Sequence, residues 1–91
     1  MFTLVVPDQF LKTANKFFNR HPDLISQLIK IIEILINDPL HPSLQLHSLK
    51  GKFKGLSAIR LAYKYRITII MQIEKKEITL IDIGSHNNIY R

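Results

Sequence analysis

The feature that most constrains this 91-residue chain is a helix-like segment that is apolar almost all the way round. Leu24, Ile25, Leu28, Ile29, Ile31, Ile32, Ile34, Leu35 and Ile36 leave a narrow polar stripe of Ser26, Lys30, Glu33 and Asn37. Pro22 and Asp23 signal its start, and Pro39 prevents continuation past about Asn37. At about 1.5 Å per residue it is roughly 24 Å long, enough to cross a small sheet. A helix this apolar must be covered on more than one side. A first helix and a sheet, read from the rest of the chain, supply two of those sides. The surplus isoleucines read as extra core in preference to a protein–protein contact.

The flanking segments meet that requirement. Phe2 to Val6 is a short β-rich run ended by Pro7, and Pro7 with Asp8 suits the opening of a helix. Phe10, Ala14 and Phe17, with Leu11 and Phe18 alongside, mark one face of that helix, which ends near Asn19. Three β-rich runs follow, over 56–63, 65–73 and 77–83. The first alternates Ile59, Leu61 and Tyr63 with Ala58, Arg60 and Ala62. The second sets Tyr65, Ile67, Ile69 and Met71 against Arg66, Thr68, Ile70 and Gln72. The Glu74-Lys75-Lys76 turn joins the last two runs as a hairpin. The expected order is β-α-α-β-β-β, an α+β domain with a helical hairpin on one face of a mostly antiparallel sheet. With 46% hydrophobic residues and no internal repeat, residues 1–91 read as one domain.

Charge narrows the partners. The net charge is +6, and the 35 residues between Asp38 and Glu74 contain no carboxylate. That stretch holds Lys50, Lys52, Lys54, Arg60, Lys64 and Arg66, with His41, His47, Phe53, Tyr63 and Tyr65 among them. Such a field attracts polyphosphate, and the rings offer faces for unpaired bases; a solvated surface or an acidic protein partner are the alternatives. If Lys50, Lys52 and Lys54 lie on an extended segment, they form one row. The chain has no cysteine, which excludes disulfides, thiolate metal sites and a cysteine nucleophile, and fits a reducing cytosol. No apolar run is long enough for a membrane span, and the N-terminus lacks a signal-peptide pattern. No metal-spaced histidine pair or Gly-rich phosphate loop is present. The chain reads as a cytoplasmic protein with no metal and no cofactor.

Two places concentrate chemistry. Arg60, between small Ala58 and Ala62, belongs to the sheet face away from the helices, where small neighbours leave room for a ligand; Arg66 is assigned to the same face. The last ten residues break at Gly84 into a polar stretch with His86, Asn87, Asn88, Tyr90 and Arg91. Histidine moves protons near neutral pH and arginine binds phosphate through two donors. His21 reads as a turn residue and His41 as loop, and Asp82 is expected to pair with a nearby cation.

The succession LHSLKG, then Gly55, then IRLAYKYRI, then LIDIGSHNNIY resembles the RelE/ParE superfamily of bacterial toxin–antitoxin systems, in particular its RelE-like messenger-RNA interferases. The likeness spans nearly the whole chain. It implies a ribosome-dependent endoribonuclease that cuts messenger RNA in the A site without a metal, neutralised by an antitoxin encoded beside it. Carried onto this sequence, Arg60 matches the phosphate-binding arginine, Tyr90 the C-terminal aromatic, His86 a position holding His or Arg, and His47 the histidine of LxxHxLxG. His86 would act as general acid or base with His47 as its partner or as an RNA contact, and a lysine crowded by other cations is the alternative base. Lys50, Lys52, Lys54, Lys64 and Arg66 would surround the RNA. Asn87, Asn88 and the AYKYR segment depart from the family by lacking acidic residues. A ParE-type gyrase poison without nuclease activity, or a catalytically degenerate member that only binds its antitoxin, is the alternative within the same fold.

Overall fold

The computed structural model describes residues 1–85. Its elements are β1 (Thr3–Val5), α1 (Asp8–Arg20), α2 (Ile25–Asn37), β2 (His47–Ser48), β3 (Ser57–Ala62), β4 (Tyr65–Gln72) and β5 (Glu77–Ser85), with short 3-10 turns at Pro22–Leu24, Pro42–Leu44 and Gly51–Phe53. The strands form one sheet in the order β1-β5-β4-β3-β2. Only the β1–β5 pairing is parallel. The expected α+β class and helix–sheet layering are therefore observed, with one addition. A two-residue edge strand, β2, extends the sheet beyond β3 through His47↔Ala58 and Ser48↔Ser57.

The two helices form as their sequence signals require. Pro7 precedes α1 in extended conformation, Asp8 sits in its first turn and Arg20 in its last, each charge matched to the end of the helix dipole. The backbone N–H of Asp38 closes α2 on the carbonyl of Ile34 at 2.7 Å, and Pro39 then turns the chain away. The end of α2 is tied to the start of β1 by Phe2 N–H donating to the Ile36 carbonyl at 2.8 Å.

One core lies between the helices and the sheet. Phe10 and Ala14 of α1, Ile31 and Leu35 of α2, and Leu44 pack on Ile59, Leu61, Ile67, Ile69, Ile78, Leu80 and Ile83. The alternation in β3 and β4 thus fixes the covered face as read from the sequence, except that Tyr63 lies beyond β3, in the turn, and is 85% exposed. The cover over α2 is incomplete. Ile25 and Ile29 stay 45% and 63% exposed, so not all the surplus isoleucine is core.

The strand β5 changes phase partway. Ile78 and Leu80 point to the core, and so does Ile83, at an odd spacing. The register shows why: Thr68 pairs with Asp82 while Ile69 pairs with Leu80, leaving Ile81 as an extra residue. Such a bulge inverts the alternation beyond it. It keeps Ile83 inside and delivers Asp82 to the other face of the sheet.

Candidate functional site

The sheet register assembles a face away from the helices. Residues directly opposite on neighbouring strands share a face, so His47, Ala58, Thr68 and Asp82 form one row across β2, β3, β4 and β5. Arg60, Arg66 and Gly84 form the next row. His47, opposite Ala58, is diagonal to Arg60, a separation of about 7–8 Å. Two cations and a histidine from three strands thus meet on one surface, although His47 and Arg60 are thirteen positions apart in sequence.

Arg60 and Arg66 stand directly opposite each other, an arrangement in which like charges repel. Arg66 resolves the conflict by turning to the hairpin end. Its Nη1 donates to the carbonyls of Ala62 and Tyr65, both at 3.0 Å, and approaches that of Tyr63 at 3.4 Å. These acceptors are neutral, so the positive charge of the face is kept. Arg60 is half-buried and makes no hydrogen bond or ion pair among the described residues. A guanidinium partly withdrawn from water without an anion is suited to an incoming phosphate.

His47 sits exposed on the edge strand, with Nδ1 3.0 Å from the carbonyl oxygen of Gln45. A carbonyl only accepts, so the shared proton is on Nδ1, and Nε2 is the nitrogen that accepts a proton when the ring is neutral. Gln45 is in the left-handed region at φ 49°, which turns the chain so that its carbonyl meets the ring. The orienting contact is local, and nothing in the run LQLHSLKG distinguishes it from loop polarity.

Several sequence expectations change. Lys50, Lys52 and Lys54 do not form a row, because Gly51–Phe53 is a 3-10 turn and not an extended segment. All three are exposed, and Lys52 Nζ lies 5.2 Å from the centre of the Phe53 ring. Gly51 and Gly55, at φ 66° and 93°, provide the left-handed turns that close this loop. The space expected beside Arg60 is one-sided: Ala58 is fully buried and Thr68 2% exposed, whereas Ala62 is only half-buried. Asp82 makes no ion pair among the described residues; its Oδ1 accepts from the Ile83 N–H at 2.8 Å. His86 and Tyr90 lie outside the described residues. Lys64 stands exposed at the β3–β4 turn, its Nζ 5.7 Å from the centre of the Tyr65 ring.

A second feature was not foreseen. A cleft of about 670 Å³ lies between the C-terminal half of α1 and the ends of β4 and β5. Lys16, Arg20 and Lys64 contribute cations to it. His21, read from sequence as a turn residue, packs between Phe17 and Tyr65 with ring centres 4.5 and 4.7 Å away. The spacing of Phe17 and His21, four apart at the end of a helix, was the available signal, but its strand partner Tyr65 was not. His41 remains a loop residue, accepting from the Ser43 N–H at 3.2 Å. Among the described residues, no group of three or more histidine or carboxylate side chains is placed to hold a metal ion.

Comparison with known proteins agrees with this fold. No curated protein sequence matches the chain. Among solved structures, a copper-bound mutant toxin from Helicobacter pylori superposes with a TM-score of 0.81 at 27% identity, over 99% of this chain and 100% of that one. The YafQ toxin in the DinJ–YafQ complex of Escherichia coli gives 0.80 at 19% identity, over 100% of both chains. A YoeB/ParE toxin from Agrobacterium tumefaciens gives 0.72 at 17% identity, over 94% and 99%. The superfamily resemblance read from the sequence is thereby supported and its branch narrowed. Residues 2–91 match the profile of the YafQ family, bacterial toxins of type II toxin–antitoxin systems, and the chain belongs to that family.

Proposed function

We propose that this toxin is a ribosome-dependent endoribonuclease that cuts messenger RNA by attack of a ribose 2′-hydroxyl on the adjacent phosphate, with side chains and no metal supplying the catalysis. The supporting observation is Arg60, half-buried without an anionic partner among the described residues, on the same face as a histidine whose Nε2 is free to accept a proton. In this reading His47 takes the 2′-hydroxyl proton and Arg60 stabilises the charge that develops on the phosphorane. His86 protonates the departing 5′-oxygen, and Tyr90 stacks on or orients the RNA. Lys50, Lys52, Lys54 and Lys64 attract the phosphate backbone around this centre. Arg66 supports the site from the turn carbonyls while adding to its field. Residues 1–91 act as a single toxin domain in the cytoplasm. The cognate antitoxin, as DinJ does for YafQ in the E. coli complex, binds the toxin, and by covering the cationic face blocks its access to messenger RNA on the ribosome.

The test is messenger-RNA cleavage in a reconstituted translation reaction. Cleavage should require ribosomes and fall by about 10²–10³-fold in Arg60→Ala, with circular dichroism confirming a folded variant. Intact messenger RNA together with stalled replication would instead indicate a gyrase poison.

A further inference from the structure

The turn joining β3 and β4 breaks the usual rules for its kind. Ala62 pairs with Tyr65, so the connection is two residues, Tyr63 and Lys64. Two-residue hairpin turns favour positive φ and hence Gly, Asn or Asp. Neither Tyr63 nor Lys64 has positive φ; among the described residues only Gln45, Lys76, Gly51 and Gly55 do. A register shift between Arg60 and Ala62 accompanies the turn. The tip is braced by Arg66, whose Nη1 reaches the carbonyls of Ala62, Tyr63 and Tyr65, on both sides of it. Tyr63 itself packs on nothing: it is 85% exposed, with no ring contact and no side-chain hydrogen bond among the described residues. Local rules broken without a packing gain point to function.

We infer that Tyr63 is a base-stacking platform for single-stranded RNA and that Arg66 is the positioning residue that holds it. This rests on the ribonuclease reading above and adds a substrate contact to it. Tyr63 is three residues along the hairpin from Arg60, within about 10 Å at the strand rise of ~3.3 Å per residue. A phosphate held by Arg60 thus leaves a neighbouring base within reach of the ring. The exposed Lys64 sits next to it, which favours RNA over an apolar protein surface as the occupant. A braced tip fixes the backbone that carries the ring, so less of the turn has to be ordered on binding.

The probe is a short single-stranded RNA carrying 2-aminopurine, titrated into the free toxin at low salt, alongside translation-coupled cleavage. Tyr63→Ala should weaken binding by about 5- to 150-fold, the size of one base–aromatic stack, and abolish the fluorescence quench. Tyr63→Phe and Tyr63→Trp should keep both. Arg66→Ala should weaken binding as well, yet add little in the Tyr63→Ala background, since the two residues act as one unit. Additive losses would make Arg66 an independent phosphate contact and overturn its positioning role. If Tyr63→Ala binds and cleaves like the wild type, or Tyr63→Phe is as weak as Tyr63→Ala, stacking is wrong while the ribonuclease reading stands. A loss confined to antitoxin binding would assign Tyr63 to a protein contact. A wild type that neither binds nor cleaves RNA would overturn both readings.

Discussion

At the scale of single residues, the proposed function rests on how two neighbouring arginines are treated differently. Arg66 spends one nitrogen on three carbonyls of a turn, while Arg60 on the facing strand has no partner among the described residues. Their consequences should separate. Arg60→Ala should leave melting nearly unchanged and reduce cleavage by about 10²–10³-fold, as loss of a charge-stabilising donor does. Arg66→Ala should lower thermal stability measurably, because it frees the hairpin tip. His47→Ala should reduce cleavage by about 10²–10⁴-fold, the usual worth of general acid–base help, with ribosome binding retained in a pelleting assay. His47→Ala cleaving at the wild-type rate would move the base to another group.

At the scale of elements, local sequence signals proved sound where periodicity carried them and silent where one residue changed the phase. The faces of β3 and β4 could be read in advance because Ile59, Leu61, Ile67 and Ile69 recur strictly at every second position. In β5 the order Leu80-Ile81-Asp82-Ile83 hides a bulge, since the adjacent Leu80 and Ile81 sit at the shift and either fits a core. The edge strand β2 was also illegible, being two residues long and defined by its partner β3 alone. So His47 reached Arg60 by pairing that no local pattern announces, and the lysines assigned to a row were redistributed by a 3-10 turn. Deleting Ile81 should remove the bulge while keeping Asp82 opposite Thr68 and Ile83 opposite Ile67, so cooperative unfolding in urea should be retained. Gly55→Ala offers a gentler check. A methyl there would meet nothing within 4 Å, so the cost should be that of the left-handed backbone alone, about 1–2 kcal/mol by urea denaturation.

At the scale of the molecule, helices and sheet divide the work. α1 and α2 cover one face of the sheet and close the core, which leaves the other face to collect Arg60 and Arg66 from β3 and β4 and His47 from β2, with Asp82 the carboxylate beside them among the described residues, itself engaged with the Ile83 N–H. Core and site are therefore independent to first order. Leu35→Ala, deep between α2 and the sheet, should cost about 2–5 kcal/mol of stability and leave the cleavage rate of the folded fraction unchanged. The collected charge should also govern association. If about five cations meet single-stranded phosphates, log K should fall against log salt with a slope of roughly −3.5. The measurement that tests the central claim most directly is end-group analysis of messenger RNA cut on programmed ribosomes by the wild type and by Arg60→Ala. Attack by the 2′-hydroxyl leaves a 2′,3′-cyclic phosphate, or the 3′-phosphate it hydrolyses to, and a 5′-hydroxyl, and these ends should appear with the wild type and be lost with the variant. Ends bearing a 5′-phosphate, or equal cleavage by both proteins, would contradict an RNA-cleaving centre built around Arg60.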